Sequence, residues 1–147
     1  MIRPLQPSDR ELFLELTKEF YHSPAVLHEV PEQYFVNNFE EALSESPYLK
    51  GYILELDGKP VGFALLAFTY VAEVGGRQVM IEEIYLREEA RGAGLGQEFF
   101  RFVEQAFPDC RRQRLEVTPE NEGARRLYGR LGFQTLGYLQ MVKDREE

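Results

Sequence analysis

The sequence predicts an α/β fold, an α+β mixed sheet with helices on both faces. Three observations point there. Apolar spacing switches between strand and helix periods in the order β-α-α-β-β-β-α-β-α-β along the 147 residues. Residues 61–71 are a nearly continuous apolar run, which suits a strand covered on both faces. Over 78–118 a strand, a helix and a strand follow one another, which implies a parallel, right-handed pair. The whole chain, 1–147, is expected to be one domain, long enough for a real core.

The elements follow in order. Residues 1–5 form a short strand, ended by Pro4 and Pro7. Ser8 is placed to open a helix, with Glu11 three residues on as a capping box. Leu12, Leu16 and Phe20 give that helix its apolar face. Residues 21–31 hold two prolines and both histidines and are expected as a loop. Phe35, Phe39, Ala42 and Leu43 mark a second helix, which stops before Pro47. Residues 52–56 are a strand, and Asp57-Gly58 is a strong hairpin turn. The strand 61–71 follows, then a turn at Gly75-Gly76 into a third strand of the meander. Leu95, Phe99, Phe102, Val103, Ala106 and Phe107 fall at helical spacing until Pro108. Residues 113–118 are a short strand. A last helix places Ala124, Leu127, Tyr128 and Leu131 inward, with Gly132 just past its end. Residues 133–142 are expected to be strand again.

Composition sets limits on function. A formal net charge of −8 argues against nucleic acid as a partner, because phosphate binding needs a basic surface. It is compatible with a cationic substrate. The single cysteine, Cys110, excludes an intrachain disulfide and a cysteine metal cluster, and no metal is expected. No apolar run approaches a membrane span, and the start of the chain lacks the apolar core of a signal peptide. A cytoplasmic protein without membrane contact is expected.

The chemistry is concentrated in 78–97. A β-branched and aromatic run carries adjacent carboxylates, Glu82 and Glu83. It passes through a charged turn into Arg91-Gly92-Ala93-Gly94-Leu95-Gly96 and directly into a helix. Strand, glycine loop and helix N-terminus together form an anion site, because free backbone amides and the helix dipole face the ligand. By itself a glycine loop is more often a plain turn. The bland reading of the two glutamates is one solvated side chain and one paired with an arginine. Tyr128 alone is an ordinary core-edge residue, and Asn121 alone is a helix N-cap. His22 and His28, six residues apart, have no supporting metal-ligand spacing, so structural or substrate-lining roles suit them.

Together, Arg91, Gly94 and Gly96, then Asn121, Ala124 and Tyr128, then Gly132-Phe133, resemble the signatures of the GNAT (GCN5-related) N-acetyltransferase superfamily. The local run over 81–96 is most similar to diamine and polyamine acetyltransferases. The resemblance implies a GNAT-type acyl-CoA N-acyltransferase fold and acetyl-CoA as co-substrate. It implies that the strand before the glycine loop and the strand ending near Thr118 splay apart. The pantetheine arm would then bond to strand backbone at about Ile84 and Leu86. The pyrophosphate would rest on the amides of Arg91, Gly92, Ala93, Gly94, Leu95 and Gly96. Arg91 would contribute mainly its main chain, and Asn121 would contact the arm from the other side.

N-acetyl transfer needs a base for the attacking ammonium, a donor to the oxyanion and a proton for the leaving thiolate. Glu82 resembles the family's base position, with Glu83 as a contact to the substrate ammonium. Strict strand alternation allows only one of them to face the cleft, and a bulge would break that parity. An amide near Ile84 is the candidate oxyanion donor, and Tyr128 matches the family's general acid. The loop after the first helix is expected to wall the acceptor pocket, so Tyr21, His22, Glu29 and Tyr34 are its candidate lining. A small primary amine or polyamine is the favoured acceptor. A non-catalytic acyl-CoA-binding module, and acetylation of a protein N-terminus or lysine, stay open beside it. The resemblance also implies a homodimer through the C-terminal strands.

Overall fold

The computed structural model describes residues 1–145. Its elements are β1 (Ile2–Pro4), α1 (Arg10–Tyr21), α2 (Glu32–Leu43), β2 (Leu49–Leu56), β3 (Lys59–Val71), β4 (Gly76–Leu86), α3 (Leu95–Ala106), β5 (Cys110–Leu115) and α4 (Glu122–Arg130). The sheet runs in the order β1-β2-β3-β4-β5. All its pairs are antiparallel except β4 with β5, which is parallel. The mixed sheet and its crossover helix agree with the periodicity of the sequence. The β2–β3 hairpin turns through Asp57 and Gly58 with φ of 52° and 78°, the left-handed pair that matches strand twist.

Alternation along the strands sends side chains into two cores. On one face Ile53, Phe63 and Leu65 meet Phe13 and Leu16 of α1 and Phe39 of α2. On the other face Leu66, Val79 and Ile81 meet Phe99 and Val103 of α3. The long apolar β3 serves both, which is why it reads as continuous rather than alternating.

The structure departs from expectation in three places. First, Ser8 and Glu11 do not cap α1. Pro7–Asp9 form a 3-10 turn instead, and Asp9 Oδ2 accepts the Gln6 amide at 2.8 Å. Arg3 holds Asp9 through both guanidinium nitrogens, at 2.8 and 2.9 Å, and this two-point charged contact outcompetes a serine hydroxyl. Second, β5 begins at Cys110 and ends at Leu115, shifted toward the N-terminus of the expected 113–118. Third, 133–145 contain no strand, so the expected strand over 133–142 is absent from the described residues. This tail touches the body through Phe133, packed on Phe100 and Tyr128, through Tyr138, whose hydroxyl donates to Glu73 at 2.7 Å, and through Gln140, which accepts from Arg114 at 3.0 Å. Leu139, Met141 and Val142 point into solvent, so no burial holds the tail against the β5 edge.

Candidate active site

The site grows from a fork between two parallel strands. The β4–β5 register ends at Ile81 opposite Leu115, yet β4 continues to Leu86. Beyond that point the two backbones part. Just there β4 also bulges: Leu66 pairs with Ile81 and Leu65 with Glu83, so Glu82 is an extra residue with no opposite number on β3. The bulge breaks the simple alternation of the two glutamates. Both now line one small cavity of about 70 Å3 at the fork, together with Ile84, Asn121 and Tyr128.

The two carboxylates sit in different surroundings. Glu83 is buried, at 8% exposure, on the α1 face of the sheet. The Tyr21 hydroxyl, from the last residue of α1, donates to its Oε2, while its Oε1 has no partner. Burial pushes Glu83 up to about 7, against the downward pull of the Tyr21 bond, and the charge of Glu82 adds to the rise. Glu82 stays open to solvent but stands between protein walls. Loss of hydration raises its pKa, and so does Glu116 on the opposite limb of the fork. Each is thereby moved toward neutrality, where a carboxylate exchanges protons most usefully.

Tyr128 reaches the same cavity from α4. Its ring is fixed edge-on between Phe100 and Phe133, with centroids 5.7 and 6.0 Å away. Burial raises its pKa, so the phenol stays protonated at neutral pH. Asn121 caps α4, with its side-chain oxygen accepting the Ala124 amide at 3.2 Å. That leaves its NH2 group free to donate.

The glycine loop lies at the far end of the β4 extension. Gly92 and Gly94 have φ of 82° and 81°, and Gly94 is the N-cap of α3 without any side-chain cap. The first amides of α3 therefore lack a capping acceptor. At Gly96 neither dihedral nor crowding requires glycine, since a Cβ there would meet no atom within 4 Å. The Arg91 side chain turns back and donates to the Leu86 carbonyl at 3.1 Å, and its amide donates to the Glu88 carbonyl at 3.1 Å, so the expected main-chain contribution of Arg91 to the anion loop is not available and the open amides begin at Gly92.

Of the acceptor-lining candidates, Tyr21 is brought to the site through Glu83. His22, Glu29 and Tyr34 are exposed and line neither this cavity nor the larger open groove beside it. His22 and Glu29 lie in the α1–α2 connection and Tyr34 in the first turn of α2, while the connection approaches the groove through Ala25, Val26 and His28 instead. Among the described residues no three His, Cys, Asp or Glu side chains are placed to hold a metal ion, and no helix is long and apolar enough to cross a membrane.

Residues 10–133 match the model of the acetyltransferase (GNAT) family. The chain belongs to the GNAT family of acetyltransferase enzymes. It is 36% identical over 99 residues to an uncharacterized N-acetyltransferase of Methanocaldococcus jannaschii, a match that covers 63% of this chain and 44% of that relative. It is 32% identical to the thialysine N-epsilon-acetyltransferase of Bos taurus, over 92% of this chain and 85% of the relative. The spermine/spermidine N(1)-acetyltransferase of Bacillus subtilis is 31% identical over 71% of this chain and 76% of the relative. Among solved structures, the aminoglycoside N-acetyltransferase AAC(6')-Iy in complex with CoA superposes with a TM-score of 0.79 at 22% identity, covering 99% of this chain and 94% of that one.

One feature of this GNAT site was not singled out in the sequence. Glu116 follows directly on β5 and adds a third carboxylate to the cavity. His28, a candidate lining residue, does line the larger groove. The parallel pairing of β5 with β4 was legible, but the charge of Glu116 alone does not say that it meets Glu82 there.

Proposed function

We propose that this chain transfers the acetyl group of acetyl-CoA to a primary amine by direct attack. The observation that carries the reading is the convergence of Glu82, Glu83, Asn121 and Tyr128 on one cavity where β4 and β5 part. The local chemistry suits an acyl-CoA. The β4 backbone beyond Ile81 is free of β5, the N-terminus of α3 is uncapped, and the space beside Gly96 is open. Acetyl-CoA supplies the thioester acyl donor. The amides of 92–96 receive its pyrophosphate, while Ile84, Leu86 and Asn121 flank its arm.

The residues then divide the proton work. An alkylammonium, with a pKa of about 10.4, must lose a proton before its nitrogen can attack the carbonyl carbon. Glu82, raised toward neutrality and in touch with solvent, takes that proton and passes it to water. The Ile84 amide donates to the oxyanion. As the carbon–sulfur bond breaks, Tyr128 gives its proton to the sulfur, and the second proton shed by the former amine nitrogen returns through solvent to restore the phenol, leaving the amide and the free thiol. Glu83 holds the incoming ammonium.

The acceptor is a small cationic amine of polyamine type. Three carboxylates, Glu82, Glu83 and Glu116, line the cavity, and no Arg, Lys or His does. The thialysine and spermine/spermidine acetyltransferases among the relatives support the same class. A cytoplasmic homodimer joined through the C-terminal segments belongs to this reading, supported by the exposed Leu139, Met141 and Val142. The test is release of free CoA thiol from acetyl-CoA with an amine panel. Wild type turns over, while Glu82→Gln and Tyr128→Phe each lose roughly 10²-fold in kcat, the low end for general acid–base catalysis. Wild-type kcat in both variants at neutral pH would refute these roles. CoA binding without turnover on any amine would refute the reaction.

A further inference from the structure

Glu83 is a buried carboxylate with one satisfied oxygen and one orphan. A buried ionised oxygen without a donor is costly, and in native proteins such an orphan calls for an explanation. The groups around it supply no cation. Glu82 adjoins it on β4, and Glu116 and Tyr128 face it across the fork. The nearby Arg87 is engaged by Glu19 at 2.9 Å and by Glu15 at 3.1 Å, and Tyr85 also donates to Glu19. The donor on Oε2 is Tyr21, which ends α1. The Tyr21 ring is packed against Phe20 and Phe35, at centroid distances of 5.2 and 5.1 Å. Its hydroxyl is therefore held in place by the same core that holds α1 and α2 to the sheet.

We propose that Tyr21 is a positioning residue: by holding Oε2 of Glu83 it presents Oε1 to the ammonium of the acceptor. This rests on the acetyl-transfer reading above. The hydroxyl also favours the ionised form of Glu83, the form that attracts a cation, and opposes the upward push of burial. One α1 residue thereby links the acceptor loop at 22–31 to the charge state of the cleft. In this role Tyr21 acts through Glu83.

The experiment is a 13C carboxylate titration of the full chain by NMR, with Glu83→Gln to assign the resonance. Tyr21→Phe keeps the ring and its packing, so the variant folds. Its Glu83 midpoint rises by about one pH unit, the effect of losing a hydrogen bond to a charged group. The acid limb of kcat/KM moves up by the same amount. KM for the amine rises at neutral pH, and kcat recovers above the new midpoint. A purely structural tyrosine would lower kcat at every pH and leave the midpoint alone. An unmoved midpoint overturns the proposal even if wild type acetylates amines. A protein that shows the moved midpoint but releases no thiol with any amine keeps the Tyr21–Glu83 pairing and sinks the acetyl-transfer reading instead.

Discussion

Replacing Glu83 by glutamine should flatten the pH dependence of folding stability. In the native state Glu83 is pushed from an ordinary 4.5 up to about 7. Between those values the folded chain holds a proton that the unfolded chain has released. Stability therefore falls as pH rises through this window, by about 1.4 kcal/mol per pH unit. The full contribution is present below the unfolded value of 4.5 and is lost once pH passes about 7. Over the window that amounts to about 3 kcal/mol. The side chain is 8% exposed, so solvent screening takes little from this figure. Glu83→Gln removes the titration. Its buried amide adds a cost of about 1–3 kcal/mol wherever it lacks an acceptor, but that cost is the same at every pH. The informative quantity is therefore the difference between variant and wild type as a function of pH. Urea unfolding at several pH values between 5 and 8 measures it. The wild type should lose about 2.5 kcal/mol relative to the variant across the range, the equivalent of about 2–4 °C in Tm for each kcal/mol. Part of this includes relief of Glu82, whose own pKa is raised. Parallel curves for the two proteins would mean that Glu83 is an ordinary solvated carboxylate, and the account of the cleft would fall.

Two further outcomes separate the roles of neighbouring groups. Gly96→Ala should leave Tm unchanged or slightly higher, because its backbone is helical and its Cβ would meet no atom, yet calorimetry should show weaker CoA binding. Gly94→Ala, at φ +81°, should lower stability by about 1–2 kcal/mol as well, and equal Tm values for the pair would contradict the loop geometry. Arg3→Ala leaves Asp9 buried without its guanidinium partner and should cost about 3 kcal/mol in urea unfolding. Arg3 also holds the Asp9 carboxyl below the usual range, so this loss should fade as pH drops through the Asp9 value.

Much of this protein is local and was therefore legible in the chain. Phe99, Val103 and their neighbours repeat at helical spacing, so α3 was plain. Asp57-Gly58 marks its own hairpin. The glycine loop, Asn121 and Tyr128 carry short-range signatures with fixed spacing, and the pocket does gather Glu82, Glu83, Asn121 and Tyr128. What failed was decided by partners far away in sequence. The start of α1 depends on Arg3 reaching Asp9, a two-point charged contact that no Ser-x-x-Glu pattern reveals. The tail over 133–142 has strand-like composition, but strand formation requires an edge to pair with, and beyond Phe133 its large apolar side chains remain in solvent. His22 and Glu29 sit in the α1–α2 loop and Tyr34 in α2, and none of the three lines the cavity or the groove.

The glutamate pair shows the division most sharply. That two carboxylates stand next to each other ahead of an anion-binding loop is plain from the chain. What each of them does follows from long-range packing. The β4 bulge set aside their alternation, the closing of α1 over the sheet buried Glu83 beneath the Tyr21 hydroxyl, and the fork from β5 brought Glu116 opposite Glu82. A carboxylate's charge depends on the water it loses and the dipoles it gains, and those come from residues that are distant along the chain.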